Sequence, residues 1–234
     1  DSIDGKEGKD PLNVLATAAL TLPAGLTVAN VETVNFKAGT TIVADTTTWT
    51  GLTTANVTKA TTVGLTAAAT TDVNVSGASD AITLNGGKNV VVTDATAAKA
   101  ITVGNLAAGG DATGTITITD TDNSGALNTI TVEGGTDVTV TTTADKADSG
   151  NITIGDSAKG MATGNVVVTQ NTTNNATANI KAGDVTVTGG KTVEITANMN
   201  YNGKVVRTVK VEKTVNDILE NGFVMDFKDY GRFS

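Results

Sequence analysis

The chain has 234 residues, 24 Asp and Glu against 16 Lys and Arg, a net charge of −8, and neither Cys nor His. The acidity argues against nucleic acid or an anionic membrane as partner, and no apolar run approaches the ~20 residues of a spanning helix, so no direct membrane insertion is expected. The missing residue types exclude disulfides, thiolate metal sites, cysteine nucleophiles and imidazole bases.

Aromatic residues make up only 3% of the chain, whereas Thr supplies about one residue in five. Thr and Val favour strands, and the abundant Gly, Asn and Asp favour turns, so the composition is all-β with many turns. A cysteine-free chain also suits a protein that leaves the cell unfolded and must not misbridge outside.

Residues 1–14 read DSIDGKEGKDPLNV and hold one and a half copies of G-x-x-G-x-D-x-L. Asp1 and Ile3 end the first copy; Gly5, Gly8, Asp10 and Leu12 make the second. In this nonapeptide pattern glycines permit a tight turn that aims backbone carbonyls at one spot. The Asp carboxylate completes an oxygen cage for a hard cation, and the following apolar residue turns inward as a short strand. The spacing points to Ca2+ ligands among Asp1, Asp4, Gly5, Glu7, Gly8 and Asp10. Lys6 stands where the pattern has a further Gly, and Pro11 is unusual in it. Residues 1–16 are therefore read as partial calcium-binding β-roll turns, cut from a longer protein.

From residue 17 to about 200, short β patterns recur, such as Val73–Val75, Ile101–Val103, Ile116–Ile118 and Ile152–Ile154, with Gly, Asn, Asp and Ser between them. A longer register lies over them. VNFKAGTTIV starts at Val34, ITLNGGKNVVV at Ile82, ITVEGGTDVTV at Ile130 and IKAGDVTV at Ile180, steps of 48, 48 and 50 residues. Residues 101–119 also align with 152–169. Such a period points to a solenoid, here a right-handed parallel β-helix with two coils of roughly 24 residues per repeat. Burying one Val or Ile yields ~1.5–3 kcal/mol, while ordering each backbone residue costs about 1–2 kcal/mol. A lone coil orders more than it buries, and only stacking closes the balance. A tandem of Ig-like sandwiches is the alternative, disfavoured by uneven loop lengths and by the lack of a Trp in each repeat.

Two loops inside the solenoid resemble known ligand motifs. In DTDNSG, Asp120, Asp122 and Ser124 have the alternate spacing of a calcium loop's first half, with Gly125 as the bend. The twelfth position is Thr131, so a full EF-hand fails. GGKT at residues 189–192 lacks the first Gly of a phosphate loop, because residue 185 is Val, and it sits between strands. Asp137, Asp145, Asp148 and Asp156 could line one side of the solenoid without a compelling spacing. Sequons at Asn56, Asn74, Asn151, Asn171 and Asn175 are expected by chance in so Thr-rich a chain.

Residues 201–234 break the pattern. Five of the seven aromatic residues lie here, and charge is near balance. Residues 204–213 alternate like a strand, and 214–222 read as a short helix with Thr214 as N-cap and Gly222 at its end. This small α/β segment is expected to cap the solenoid or to begin another module.

The stretches Leu22-Pro23-Ala24-Gly25-Leu26, Val31-Glu32-Thr33-Val34-Asn35 and Gly51-Leu52-Thr53, following a β-roll unit that ends Asp10-Pro11-Leu12-Asn13, resemble bacterial surface-layer proteins of the type I-secreted, RTX-like calcium-binding class. The resemblance covers residues 1 to about 200. It implies a β-solenoid outer domain, calcium-driven self-association into a two-dimensional lattice, and export to the bacterial cell surface without a cleaved leader. The stalk of a large calcium-dependent RTX adhesin is the alternative. A β-helix enzyme acting on polysaccharide is disfavoured, because the body's carboxylates are scattered and only Phe36 and Trp49 could serve as sugar platforms. No catalytic residue is expected.

Overall fold

Alternation of apolar and polar residues over three to six positions makes a strand, and Gly or Asx residues end it. The computed structural model describes residues 1–94, 100–104, 110–124, 128–145, 148–174, 181–201, 204–214 and 223–225. Its first strands are β1 (Ser2–Asp4), β2 (Pro11–Ala16), β3 (Leu20–Thr21), β4 (Thr27–Ala29), β5 (Thr33–Ala38), β6 (Ile42–Asp45) and β7 (Thr54–Lys59). They continue as β8 (Val63–Ala67), β9 (Asp72–Ser76), β10 (Ile82–Gly86), β11 (Val90–Asp94), β12 (Ala100–Val103), β13 (Ile116–Asp120) and β14 (Thr129–Val132). The last are β15 (Val138–Asp145), β16 (Ile152–Ile154), β17 (Asn165–Asn174), β18 (Val185–Val187), β19 (Thr192–Tyr201), β20 (Lys204–Thr214) and β21 (Phe223–Met225).

From β5 to β19, successive strands alternate between two long sheets. One has ten strands and runs β2-β5-β7-β9-β11-β13-β15-β17-β19-β20; the other has nine and runs from β21 and β18 down through the even-numbered strands to β6 and β3. Pairing is parallel throughout both sheets except at β19–β20 and β18–β21. A small parallel pair, β1 with β4, lies outside the two sheets and is extended by a bridge from Ala29 to Thr50. The fold is a parallel β-solenoid in which each coil contributes one strand to each sheet. No helix occurs among the described residues.

The core consists of four stacked columns. In the ten-stranded sheet, Val34, Ala55, Val73, Val90, Ile116, Val138, Val166 and Val193 lie in register, as do Phe36, Val57, Val75, Val92, Ile118, Val140, Val168 and Ile195. The facing sheet supplies Ile42, Val63, Ile82, Ile101, Ile130, Ile152 and Val185, with a second column from Ala44 to Val187. All are buried. Leu12, Val14 and Leu20, on the outermost rung, are only partly buried because they have a neighbour on one side. Trp49 packs on Phe36 with ring centroids 6.2 Å apart.

The repeat read from the sequence holds in part. Ile82, Ile101 and Ile130 are successive rungs, so the 48-residue step spans two coils, of 19 and 29 residues rather than two of about 24. Val34 does not belong to that series: it lies on the ten-stranded sheet, whereas Ile82 and Ile130 lie on the other. Both corners of a coil read as strand, Gly turn, strand, and a period of two cannot tell them apart. Ile180 lies outside the described residues. Rung spacing varies from 17 residues between Val73 and Val90 to 33 between Ile152 and Val185.

One corner is turned by paired glycines. Gly135 has φ +82°, and an added Cβ would lie 2.8 Å from Ile116 Cδ1. Gly87 and Gly190 occupy the same place in other coils, against Val73 and Val166. At the carboxyl end the parallel stacking stops where the sequence changes character: β20 returns antiparallel along β19, with an irregularity at Met199/Asn200. Thr214, expected as a helix cap, ends β20, and residues 215–222 lie outside the described residues.

Truncating one mid-column residue should cost far more than changing an outward one. Ile130→Ala is expected to lower stability by about 2–5 kcal/mol, and Val91→Thr, at an exposed position, by no more than ~0.5 kcal/mol, both read from urea unfolding.

Candidate functional site

The amino-terminal turn forms around Asp4. Its Oδ1 accepts from the Lys6 N–H at 3.0 Å and from Asn30 Nδ2 at 2.8 Å, and its Oδ2 meets Lys6 Nζ at 2.7 Å. Lys6 has φ 70°, the left-handed conformation for which the pattern would use Gly. The Lys6 ammonium, then Asn30, hold the Asp4 carboxyl far below the usual carboxylate range, and Asp4 in turn raises Lys6. Each partner thus favours the charged form of the other.

Asp10 is arranged differently. Its N–H donates to Glu32 Oε2 at 2.8 Å, while its own Oδ2 is buried and accepts no hydrogen bond. Gly8, at φ +139°, lies beside that oxygen, and a Cβ there would come within 3.3 Å of it. Gly5 N–H donates to the Ala29 carbonyl at 2.9 Å, and Asp1 accepts through its carbonyl from Thr27 at 3.1 Å. Asp1 and Glu7 are exposed.

The predicted residues therefore form a turn docked on residues 27–32, with one donor-free carboxylate oxygen at Asp10. Among the described residues no three Asp or Glu side chains converge as a metal-holding group. Asp10, with backbone carbonyls, has the oxygen chemistry calcium needs; Asp4 could contribute only by releasing Lys6. Glu32, which the sequence reading did not single out as a ligand, sits against Asp10.

In the second predicted loop, Asp120 is buried and faces inward. Its Oδ1 accepts from the Asp122 N–H at 3.0 Å and its Oδ2 from Asn123 Nδ2 at 2.9 Å. Asn123 also donates to the Asn128 carbonyl and accepts from the Gly150 N–H. Asn128 Nδ2 spans the Asp122 and Ser124 carbonyls, and Ser124 Oγ accepts from the Asp145 N–H. These groups close the turn with protein donors. Gly125 lies outside the described residues. Asp137, Asp148 and Asp156 each accept one backbone N–H, from Asn165, Lys181 and Ala158, and do not converge.

Two acids, the half-buried Asp111 and the buried Glu133, sit at the glycine-turned corner. The Asp111 carboxylate packs on Gly134 and Gly160, its Oδ1 has no hydrogen-bond partner, and burial pushes its titration up. Glu133 meets Lys159 Nζ at 3.4 Å.

The most regular polar feature was missed by the sequence reading. Asn13, Asn35, Asn56 and Asn74 stack outward on successive rungs, each amide donating to the preceding one at 3.0, 2.8 and 3.0 Å. Its signal was present as Asn between apolar residues in LNV, VNF, ANV and VNV. Beside it, Ser76, Thr93, Thr119, Thr141, Thr169 and Thr196 fall in one column. On the facing sheet Thr83, Thr102, Thr131, Thr153 and Thr186 form another. Set against protein-family models, curated proteins and solved structures, the chain matches none.

Asn56→Ala interrupts the ladder at its centre and is expected to cost about 1 kcal/mol in urea unfolding, whereas Asn13→Ala at its end costs less. Asp111 predicts the opposite sign. Its folded-state titration is raised, so its ionised form opposes folding at neutral pH and the penalty fades as pH falls through that titration. Asp111→Asn should raise the urea midpoint at pH 7, with the gain shrinking toward pH 4.

Proposed function

We propose that this chain is a structural subunit of a bacterial cell-surface lattice, of the S-layer kind, stabilised by calcium outside the cell, and not an enzyme. One observation carries the reading. From β2 to β19 the two outward columns through Asn35 and Lys37 hold Asn, Thr, Ser and apolar residues, with charge only at Lys37, Lys59 and Glu194. In a chain of net charge −8, such a neutral, rigidly laddered face can meet another copy without like-charge repulsion or much side-chain ordering cost. Among the described residues the acids are scattered, with no three gathered at one place. Two surface clefts, one along residues 21–27 and one beside Leu15 and Lys37, have a single carboxylate between them, Asp45.

Calcium enters by linkage. An ion that binds only the folded amino-terminal turn adds RT ln(1 + [Ca2+]/Kd), about 1.4 kcal/mol at ten times Kd. With the Kd near 10⁻⁴–10⁻³ M that is usual for extracellular modules, the turn is loose in a calcium-poor cytoplasm and firm outside. Asp10 Oδ2 is the ligand on which this depends.

Calcium titration of the purified chain, followed by circular dichroism and light scattering, tests the reading. The expected result is growth of large ordered particles at millimolar calcium. A full β signal in chelator with a monomer at every concentration would favour an adhesin stalk. In hydrogen exchange, Asp10→Ala should remove calcium-dependent protection from residues 1–16 and leave residues 60–190 as in the parent.

A further inference from the structure

The solenoid interior changes character toward its carboxyl end. β13 has five residues, but β15 has eight and β17 and β19 have ten each. The added inward positions lie past the apolar columns that end at Val140, Val168 and Ile195. They are Thr142 and Ala144 on β15, Gln170 and Thr172 on β17, and Ala197 and Met199 on β19. Register places Asp120, Thr142, Gln170 and Ala197 on adjacent rungs, and Ala144, Thr172 and Met199 beside them.

Thr142, Gln170 and Thr172 are 1%, 0% and 3% exposed. Thr142 Oγ1, Thr172 Oγ1 and both Oε1 and Nε2 of Gln170 have no protein hydrogen-bond partner. Four polar atoms left bare on neighbouring strands is a rare arrangement in native proteins, where such groups find a partner or an ordered water. Room is provided locally, because Ala144 and Ala197 are the rung neighbours of Thr172 and Gln170. Strands ~4.8 Å apart set the side chains at a separation that one water can bridge.

We propose that this chamber under β15, β17 and β19 binds a small cluster of ordered water as an integral part of the fold. The chemistry of the bare atoms selects the ligand. A metal cation would satisfy the hydroxyl and carbonyl oxygens but leave Gln170 Nε2 facing a positive charge. Water both donates and accepts, and meets all four atoms. Asp120, at the mouth of the column, already accepts from Asp122 and Asn123 through its two oxygens. The inference is independent of calcium and of lattice assembly.

Thr142→Val and Thr172→Val test it, because valine keeps the shape and removes only the hydroxyl. In a wet chamber each takes a partner from the water and leaves Gln170 less satisfied, so the urea midpoint falls, by roughly 0.5 M. In a dry chamber each removes a bare hydroxyl, so the midpoint rises, and that result overturns the proposal. The parent protein gives a second reading that no folding failure can obscure. A crystal structure should show water density bonded to Gln170, and NMR should show long-lived water cross-peaks to its side-chain amide. An empty chamber, or a metal ion in place of water, overturns the proposal as well.

Discussion

The structure depends on the parallel stacking of one inward residue directly on another. A three-residue strand such as β16 or β18 has no independent stability, and its Ile or Val would bury little within its own coil. Placed between two rungs, the same side chain is enclosed, and the backbone of each coil is bonded to coils on both sides. Stability is therefore shared by nearest neighbours and accumulates along the axis. This explains why the columns from Val34 to Val193 hold only apolar side chains, while the connecting segments differ in length. A coil can lengthen from 17 to 33 residues while the inward residues stay in register.

Polar side chains follow the same logic on the outside. Stacking repeats every outward position at the strand spacing, so an amide or hydroxyl meets its own kind above and below. Asparagine, with a donor and an acceptor at one end, can extend such a ladder indefinitely, which the run from Asn13 to Asn74 uses. At the corner, Asp72 accepts from Asn89, and Asn89 accepts from Thr115, carrying the same device around the turn into β11 and β13. The asparagine ladder holds register with neutral groups, and so leaves its face almost free of charge on an acidic protein. The surface reading proposed above rests on that contrast.

The parts of the fold that were legible were those set by local chemistry. Alternation in ITIT and VTVT marks strands whichever sheet they join, and the 48-residue step from Ile82 to Ile130 reports two stacked coils. Asp10 and Gly8, which the nonapeptide spacing groups together, lie side by side in the amino-terminal turn. Other features escaped. Val34 was aligned with Ile82 because a Gly turn between two strands looks alike at both corners of a coil. The role of Lys6 was hidden because its φ is set by the Asp4 and Asn30 contacts rather than by its own preference. The spacing marks Asp120 as an oxygen donor but does not show that its two oxygens accept from Asp122 and Asn123 within the turn.

The sequence by itself determined that the chain is all-β, that its strands are short and must stack, and that catalysis by Cys or His is impossible, because these follow from residue types and from a period of two. Only the tertiary structure decided which strands share a sheet, that the asparagines form one ladder, and that the buried Gln170 amide has no protein partner. Those facts depend on register between coils, and register is set by how many residues each loop removes from the rung. Loop length is written in the sequence, but its division between strand and turn is settled only when the inward columns close on one another.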